Sequence, residues 1–460
     1  MIDAVAEPIR NRCSTGDLTE ADVARAISSI AARDPGRGDE AQHVYDALTW
    51  GEGPGQIVQS GLQQWLWYQL PTKYVTDEPG YMTRIAGVAA ELLDELGLDA
   101  YAAICRSPVT AGVHEAFDRS RRDGYAAMQK ALTSSGIEPP DLESFAWGQV
   151  MGIEEAMARS AAENALEKAI ATDELVVGGR GWRARQGEIT GLVLDSDHPS
   201  QPGQTWRTAI ATERIGTWID DASRRSGDLG RLRAGIGKQL LNPIGPPPDV
   251  AERMAPLTWL LETFGDEQAL TQAGYLNKAF VVVVHADRPW EDPFKADRPP
   301  RTETDEITLH RLRGFLESAG GFRKRNRLLR RTKAGAAMAV DPVVAWRAVV
   351  DHLGSNPWSR FVTESYGLLL LGSDGPVSAK LVGRSVVTIA GEAGWRTAGS
   401  EPSEQDVSWS FSDSRALLEL FGLLAEDGDW ANRRYRLTPA GETTMLAMLR
   451  ATAAGPRDRP

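Results

Sequence analysis

The phrase Thr-x-Ala-Gly is written twice in this chain, in LLRRTKAGAAM at 328–338 and in YRLTPAGETTM at 435–445. Each copy follows an Arg-containing stretch, and each stretch follows an apolar run. Leu309, Leu312, Phe315 and Leu316 match Leu417, Leu420, Leu423 and Leu424 at a constant offset of 108. Their spacing of i, i+3, i+6, i+7 predicts one apolar helical face. Gly320 and Gly428 keep that offset and read as helix-closing glycines. An aromatic follows two residues later, Phe322 or Trp430. From Thr332 and Thr438 onward the offset is 106, carried by Ala334 and Ala440, then Gly335 and Gly441. A change of two residues is what hairpin tips of unequal length produce. Threonine caps helix N-termini, and Pro439 stands where proline is preferred in a first turn. Each copy is therefore predicted to run helix, hairpin, helix.

That order is the back half of a winged helix: recognition helix, wing, closing helix. YRLTPAG resembles the wing-to-helix junction of winged-helix regulators over about thirty residues per copy. A longer stretch, 256–448, resembles the C-terminal region of uncharacterised actinobacterial proteins. Some of these carry an N-terminal domain of the plasmid Ri open-reading-frame type. The phrases that carry this resemblance are Leu270-Thr271-Gln272-Ala273-Gly274-Tyr275-Leu276, the junction Thr332 to Gly335, and Asp341-Pro342 followed by Trp346. It implies a fold and brings no activity with it. The N-terminal domain of those proteins is not recognisable in this sequence.

At 460 residues the chain exceeds one ordinary domain. The expected fold is mainly α with small β-hairpins. A helical domain is expected over 1–170. LTEADVARAISSIAAR opens it with Thr19 as N-cap and Asp22 three residues on. Ile85, Val88, Leu92, Leu93 and Leu96 share one helical face. Trp65, Trp67 and Tyr68 read as core, and Pro71, Pro79, Pro108, Pro139 and Pro140 punctuate the helices. A mixed module is expected over 171–241, with a β-hairpin turning at Gly178 and Gly179. NPIGPPPD at 242–249 is the sharpest break. Two winged-helix-like units follow over 250–354 and 355–453, with a tail at 454–460. A proline-rich loop of the length found at 287–305 is often functional.

Cys13 and Cys105 are the only cysteines, which fits a reducing compartment. The N-terminal stretch lacks the apolar segment of a signal peptide, and no apolar run approaches a membrane span. A cytoplasmic protein without a membrane partner is expected. No cofactor or metal site is expected either. The six histidines lack HxH or HxxxH spacing, and no GxSxG or CxxC occurs. Asp195, Asp197 and His198 offer a weak cation set that a turn explains as well. GEGPGQ at 51–56 lacks the Gly-Lys-Ser/Thr of a phosphate loop. An enzyme would need a site assembled from distant residues.

Charge supplies the functional lead. The chain carries −12, yet 311–333 holds nine Lys or Arg and one acid, Glu317. Those nine are Arg311, Arg313, Arg323, Lys324, Arg325, Arg327, Arg330, Arg331 and Lys333. On a wing they suit phosphate. The second copy has four Arg and five acids between 412 and 436, which repels phosphate and suits a protein partner. GGRGWRAR at 178–185 adds arginines around Trp182, to be read as base stacking or as a tryptophan packed on a core. The first expectation is thus a nucleic-acid-associated or regulatory protein. The alternative is a protein-interaction scaffold with the winged helices as protein-binding modules, and the third an enzyme; the basic face itself could equally be solvated or meet the chain's own acids.

Overall fold

The computed structural model describes residues 18–74, 78, 80–290, 300–354, 356–397, 399–429 and 432–457. Cys13, Pro79, Trp430, the middle of the proline-rich loop and the last three residues of the tail lie outside these. The structure is mainly helical with two small antiparallel sheets. It divides into two compact units, split at Ile210 and Ala211.

The first unit is built of helices. They are α1 (Glu20–Arg33), α2 (Pro35–Thr49), α3 (Gln59–Gln64), α4 (Leu70–Lys73) and α5 (Tyr81–Glu95). Then come α6 (Asp99–Cys105), α7 (Pro108–Arg119), α8 (Arg121–Ser135), α9 (Ile153–Ala171) and α10 (Trp182–Leu194). A π-helical turn, Trp65–Gln69, joins α3 to α4. Thr19 and Asp22 cap α1 reciprocally, as their spacing requires. Ile85, Val88, Leu92, Leu93 and Leu96 are all buried. So are Trp65 and Trp67, whereas Tyr68 is 37% exposed.

The β-hairpin expected at Gly178 and Gly179 is not formed. Gly178 and Gly181 take positive φ (82° and 76°) and turn the chain into α10, whose N-cap is Gly181. The run after Trp182 has no period-two alternation to hold a strand, and its helical phase wins. The described residues of 171–241 hold helices and one isolated bridge, Asp197 to Thr205.

Helices α11 (Trp206–Arg225) and α12 (Gly227–Gly237) lead into the second unit. The proline-rich break at 242–249 lies inside this unit, with Leu240 before it and Met254 after it in one core. Then a pattern appears twice. The first pass is α13 (Val250–Phe264), β1 (Glu267–Ala269), α14 (Lys278–Asp287), α15 (Ile307–Ser318), β2 (Phe322–Arg325) and β3 (Leu328–Arg331). It closes with α16 (Lys333–Val340) and α17 (Pro342–His352). The second pass is α18 (Pro357–Leu371), β4 (Val377–Ser378), α19 (Ala379–Glu392), α20 (Glu404–Leu420), β5 (Leu424–Asp427), β6 (Arg434–Leu437) and α21 (Pro439–Ala453). The sheets have matching order, β1-β3-β2 and β4-β6-β5. Helix, strand, helix, helix and a two-stranded wing make each pass winged-helix-like.

The structure corrects the register of the repeat. Helix α15 ends at Ser318 before Gly320 (φ 70°), and α20 ends at Leu420 before Gly422 (φ 61°). The helical offset is thus 102, not 108, and Gly422 rather than Gly428 is the closing glycine. Leu309, Leu312, Phe315 and Leu316 correspond to Phe411, Ser414, Leu417 and Leu418, and all eight are buried. Leu423 and Leu424 are buried beyond the helix, and Leu420 is half-buried. Leu424 takes the place of Phe322. The sequence match slid because Ser414 interrupts the apolar pattern. It is buried because its hydroxyl accepts from Thr363 Oγ1 at 3.0 Å.

The Thr-x-Ala-Gly phrase now has a physical reason. Thr332 Oγ1 donates to the Gly320 carbonyl at 2.7 Å and accepts from Gly335 N–H at 3.0 Å. Thr438 Oγ1 donates to the Gly422 carbonyl at 2.8 Å and accepts from Gly441 N–H at 3.1 Å. Each threonine N–H also bonds one carbonyl further on, Gly321 at 3.0 Å and Leu423 at 3.1 Å. One residue therefore caps the closing helix and ties it to the end of the recognition helix. Glycine is needed because a Cβ at Gly335 or Gly441 would stand under 3.0 Å from that same carbonyl.

Gly335→Ala and Gly441→Ala should each cost about 1–3 kcal/mol in a urea melt. Gly314→Ala, whose Cβ meets open space within α15, should be neutral or stabilise by up to about 1 kcal/mol. Leu316→Ala, fully buried, should cost about 2–5 kcal/mol. Equal stability of all four variants would show that the clamp and the core do not hold the repeat.

Candidate nucleic-acid interface

The register of the first wing sorts its cations. Arg323 pairs with Arg330 across β2 and β3, and Arg325 pairs with Leu328. Since side chains alternate between faces, Arg323, Arg325 and Arg330 share the outer face, while Phe322 and Leu329 point to the core. The tip is Asn326-Arg327, with Asn326 at φ 57°, a conformation asparagine tolerates. Lys324 lies on the inner side near the strand's end and reaches over the turn at Gly274.

The nine cations divide into two sets. Arg311 Nε lies 3.3 Å from Asp413, Arg330 Nε lies 2.9 Å from Glu267, and Arg331 Nη2 lies 3.0 Å from Asp266. Arg331 also donates to the Leu261 carbonyl at 3.0 Å. Arg313 is the most enclosed, holding Glu303 and Glu317 at 2.6 Å each. Burial works against the Arg313 charge, but the Glu317 and Glu303 carboxylates outweigh it and hold its pKa above the ordinary value. The remaining five, Arg323, Lys324, Arg325, Arg327 and Lys333, are exposed and make no ion pair among the described residues. Four of these five lie on the wing hairpin, Arg325 and Arg327 at or beside its tip.

Glu303 organises the root of the wing unit. It is fully buried and accepts from Leu276 N–H at 2.6 Å as well as from Arg313, with His310 Nδ1 at 2.8 Å. Beside it, buried Glu306 engages Arg288 at 3.0 Å and His285. Both acids lie in the proline-rich loop or directly after it. Sequence reasoning gave them no role, because a loop acid carries no periodic signal.

The exposed side of α15 does not stand alone. His310, Gly314 and Ser318 line a cleft of ≈ 760 Å³, and Trp409 and Asp413 of α20 line it from the other side. Trp409 is 68% exposed. The two recognition helices of the repeat thus flank one cleft, bridged by the Arg311–Asp413 pair.

The second wing answers part of its charge from within. Arg415 Nη1 holds Glu419 at 3.0 Å and Glu426 at 3.1 Å, while Arg433 Nε holds Glu426 at 2.9 Å. Burial lifts the Glu419 pKa against the pull of Arg415.

The other sequence candidates are structural. Arg183 stacks on its neighbour Trp182 at 4.4 Å, and Arg185 pairs with Glu188 at 2.6 Å and with Glu174. His198 is buried against Trp206 and 2.8 Å from Glu154, and Asp195 pairs with Arg207 at 2.8 Å. No group of three metal-ligating side chains occurs among the described residues, and no helix there is long and apolar enough to cross a membrane. No family model, curated protein or solved structure matches the chain.

Arg313→Ala would leave the buried Glu303 carboxyl without its arginine partner and should cost about 3–5 kcal/mol. Arg325→Ala at the exposed tip should change stability by less than about 0.5 kcal/mol. Urea melts of the two variants separate a structural arginine from a free one.

Proposed function

We propose that this chain is a cytoplasmic nucleic-acid-associated or regulatory protein whose first wing contacts phosphate. The observation that carries this reading is the set of unanswered cations on the hairpin. Arg323, Lys324, Arg325 and Arg327 crowd one hairpin with no acid answering them among the described residues, while their neighbours Arg313, Arg330 and Arg331 are all paired. Concentrated like charge repels itself unless something negative meets it. Phosphate is the natural partner for arginines projecting from a wing. The winged-helix order supports the same reading, as does the resemblance to winged-helix regulators. Cytoplasmic placement is supported by Cys105, a free and buried thiol.

Contact of this kind positions a protein on a backbone and reads little sequence. The exposed side of α15 offers His310, Gly314 and Ser318 beside the acidic Asp413, which is a poor set for reading base edges. Binding is therefore expected to be sequence-tolerant and strongly salt-dependent.

A second reading, a protein-interaction scaffold, is favoured by one observation: Trp409 stands exposed next to Asp413 on α20. Exposed tryptophan is a common anchor for a protein partner.

Fluorescence anisotropy with labelled mixed-sequence duplex and single strands decides between them. Binding should weaken steeply with salt, by a slope of about 0.9 per phosphate neutralised on duplex. Replacing Arg323, Lys324, Arg325 and Arg327 together by Ala should reduce both the affinity and that slope. Replacing Arg433 and Arg434 should change either one little. No binding of any probe at low salt overturns the phosphate reading and leaves the scaffold.

A further inference from the structure

The second unit contains a cavity of ≈ 450 Å³ beside the second wing, between α18, α19, α20 and the strands β4 and β6. Tyr366 of α18 forms part of its wall. Its ring is stacked on Phe411, with 3.8 Å between centroids, and the residue is only 4% exposed. The hydroxyl is nevertheless open. It makes no hydrogen bond among the described residues, and protein does not seal it. A Cβ on Gly383, which lines the same cavity, would stand 3.4 Å from that oxygen. The glycine thus leaves a gap in the wall of α19 over the hydroxyl. Burial raises the Tyr366 pKa, and Tyr435 beside it raises it further, so near neutral pH this hydroxyl is a proton donor. A donor held on a nearly buried ring without an acceptor costs stability unless a ligand supplies one.

Other donors line the same cavity. Ala379 lies one turn before Gly383 on the same side of α19, so the N-terminus of this helix opens on the cavity. Its N-cap, Ser378, makes no side-chain capping bond, which leaves the partial positive charge of the first turn uncapped. The hydroxyls of Ser378 and Ser408 and the ammonium of Lys380 make no hydrogen bond among the described residues. Charge has the same sign. Glu404, the one acid in the lining, is engaged by Arg384 at 3.0 Å. Arg415 and Arg433 are engaged by Glu419 and Glu426. Lys380 is exposed, has no ion pair there, and is the surplus cation in a chain that is acidic as a whole.

We infer that this cavity is a binding site for a small organic anion, a monocarboxylate. Its carboxylate accepts from the Tyr366 hydroxyl and from the uncapped first turn of α19, and its charge meets Lys380. The volume leaves room for a body of modest size beside Phe411 and Tyr435. The inference does not depend on what the first wing touches.

The test is calorimetric titration of the full chain near neutral pH with phenylacetate, phenylacetamide and phenethylamine, which share a body and differ in charge. Phenylacetate should bind saturably, the amide about tenfold more weakly or worse, and the amine not at all. Tyr366→Phe removes only a hydroxyl that the protein itself leaves unbonded. It should melt in urea no earlier than the parent chain, yet bind phenylacetate about tenfold more weakly. Lys380→Met, at an exposed position, should also weaken it by about tenfold. Gly383→Ala should weaken it too, by covering the hydroxyl. Absence of saturable phenylacetate binding up to about 10 mM overturns the inference. So does equal binding of the amide or the amine, or undiminished binding by Tyr366→Phe. Loss of phenylacetate binding on replacing Arg323, Lys324, Arg325 and Arg327 by Ala would place the anion on the first wing and overturn it as well. If Tyr366→Phe does not fold, undiminished binding by Lys380→Met overturns it.

Discussion

The second unit depends on a threonine hydroxyl that bonds in two directions. Thr332 and Thr438 each give a proton to a carbonyl at the end of a recognition helix and take one from a glycine N–H in the closing helix. The two strands of a wing leave and return between those bonds, so the clamp sets where the wing is rooted. A hairpin this short is marginal by itself. Held at its base by a cap and packed through Phe322 and Leu329, or Leu424 and Leu437, it becomes a rigid projection. The length and charge of its tip are then free to vary, and between the copies they do.

Both passes of the repeat share one apolar core. Trp346 of α17 packs toward α21, and its indole N–H bonds Thr444 at 3.0 Å. That sharing has a consequence for exposure. With α15 and α20 on either side of one cleft, each occupies space that a groove-reading helix would leave open to a duplex. Each wing is instead the outer hairpin of a three-stranded sheet, and only the first is basic.

Part of this was legible in the sequence. Thr19 with Asp22, the helical face from Ile85 to Leu96, and the closing helices after Thr332 and Thr438 follow from local spacing, and local spacing decides them. The register of the repeat did not follow. The leucine pairs at 417–418 and 423–424 lie six residues apart, so an apolar match fits either, and buried Ser414 favoured the wrong one. The strands β1 and β4 were also invisible, since two or three residues carry no period. Hydrogen bonds to β3 and β6 create them. Glu303 and Arg313 meet only through the fold.

The contrast between the wings bears most directly on function. In the second, Glu426 sits between Arg415 and Arg433, so charge is answered by charge inside the same structural element and its neighbouring helix. In the first, the acids at hand are all committed to the root: Glu267 to Arg330, Asp266 to Arg331, Glu303 and Glu317 to Arg313. Asp266, Glu267 and Glu317 make exposed or half-exposed pairs, which are weak, yet they still lower the positive potential at the base of the hairpin. The cations left without an acid are Arg323 beside the root and Lys324, Arg325 and Arg327 toward the tip. Folding does not require this distribution, since the core contacts of the wing are Phe322 and Leu329, and a neutral tip would serve the hairpin as well or better. A charge that the fold bears without benefit is the feature on which the proposed phosphate contact rests.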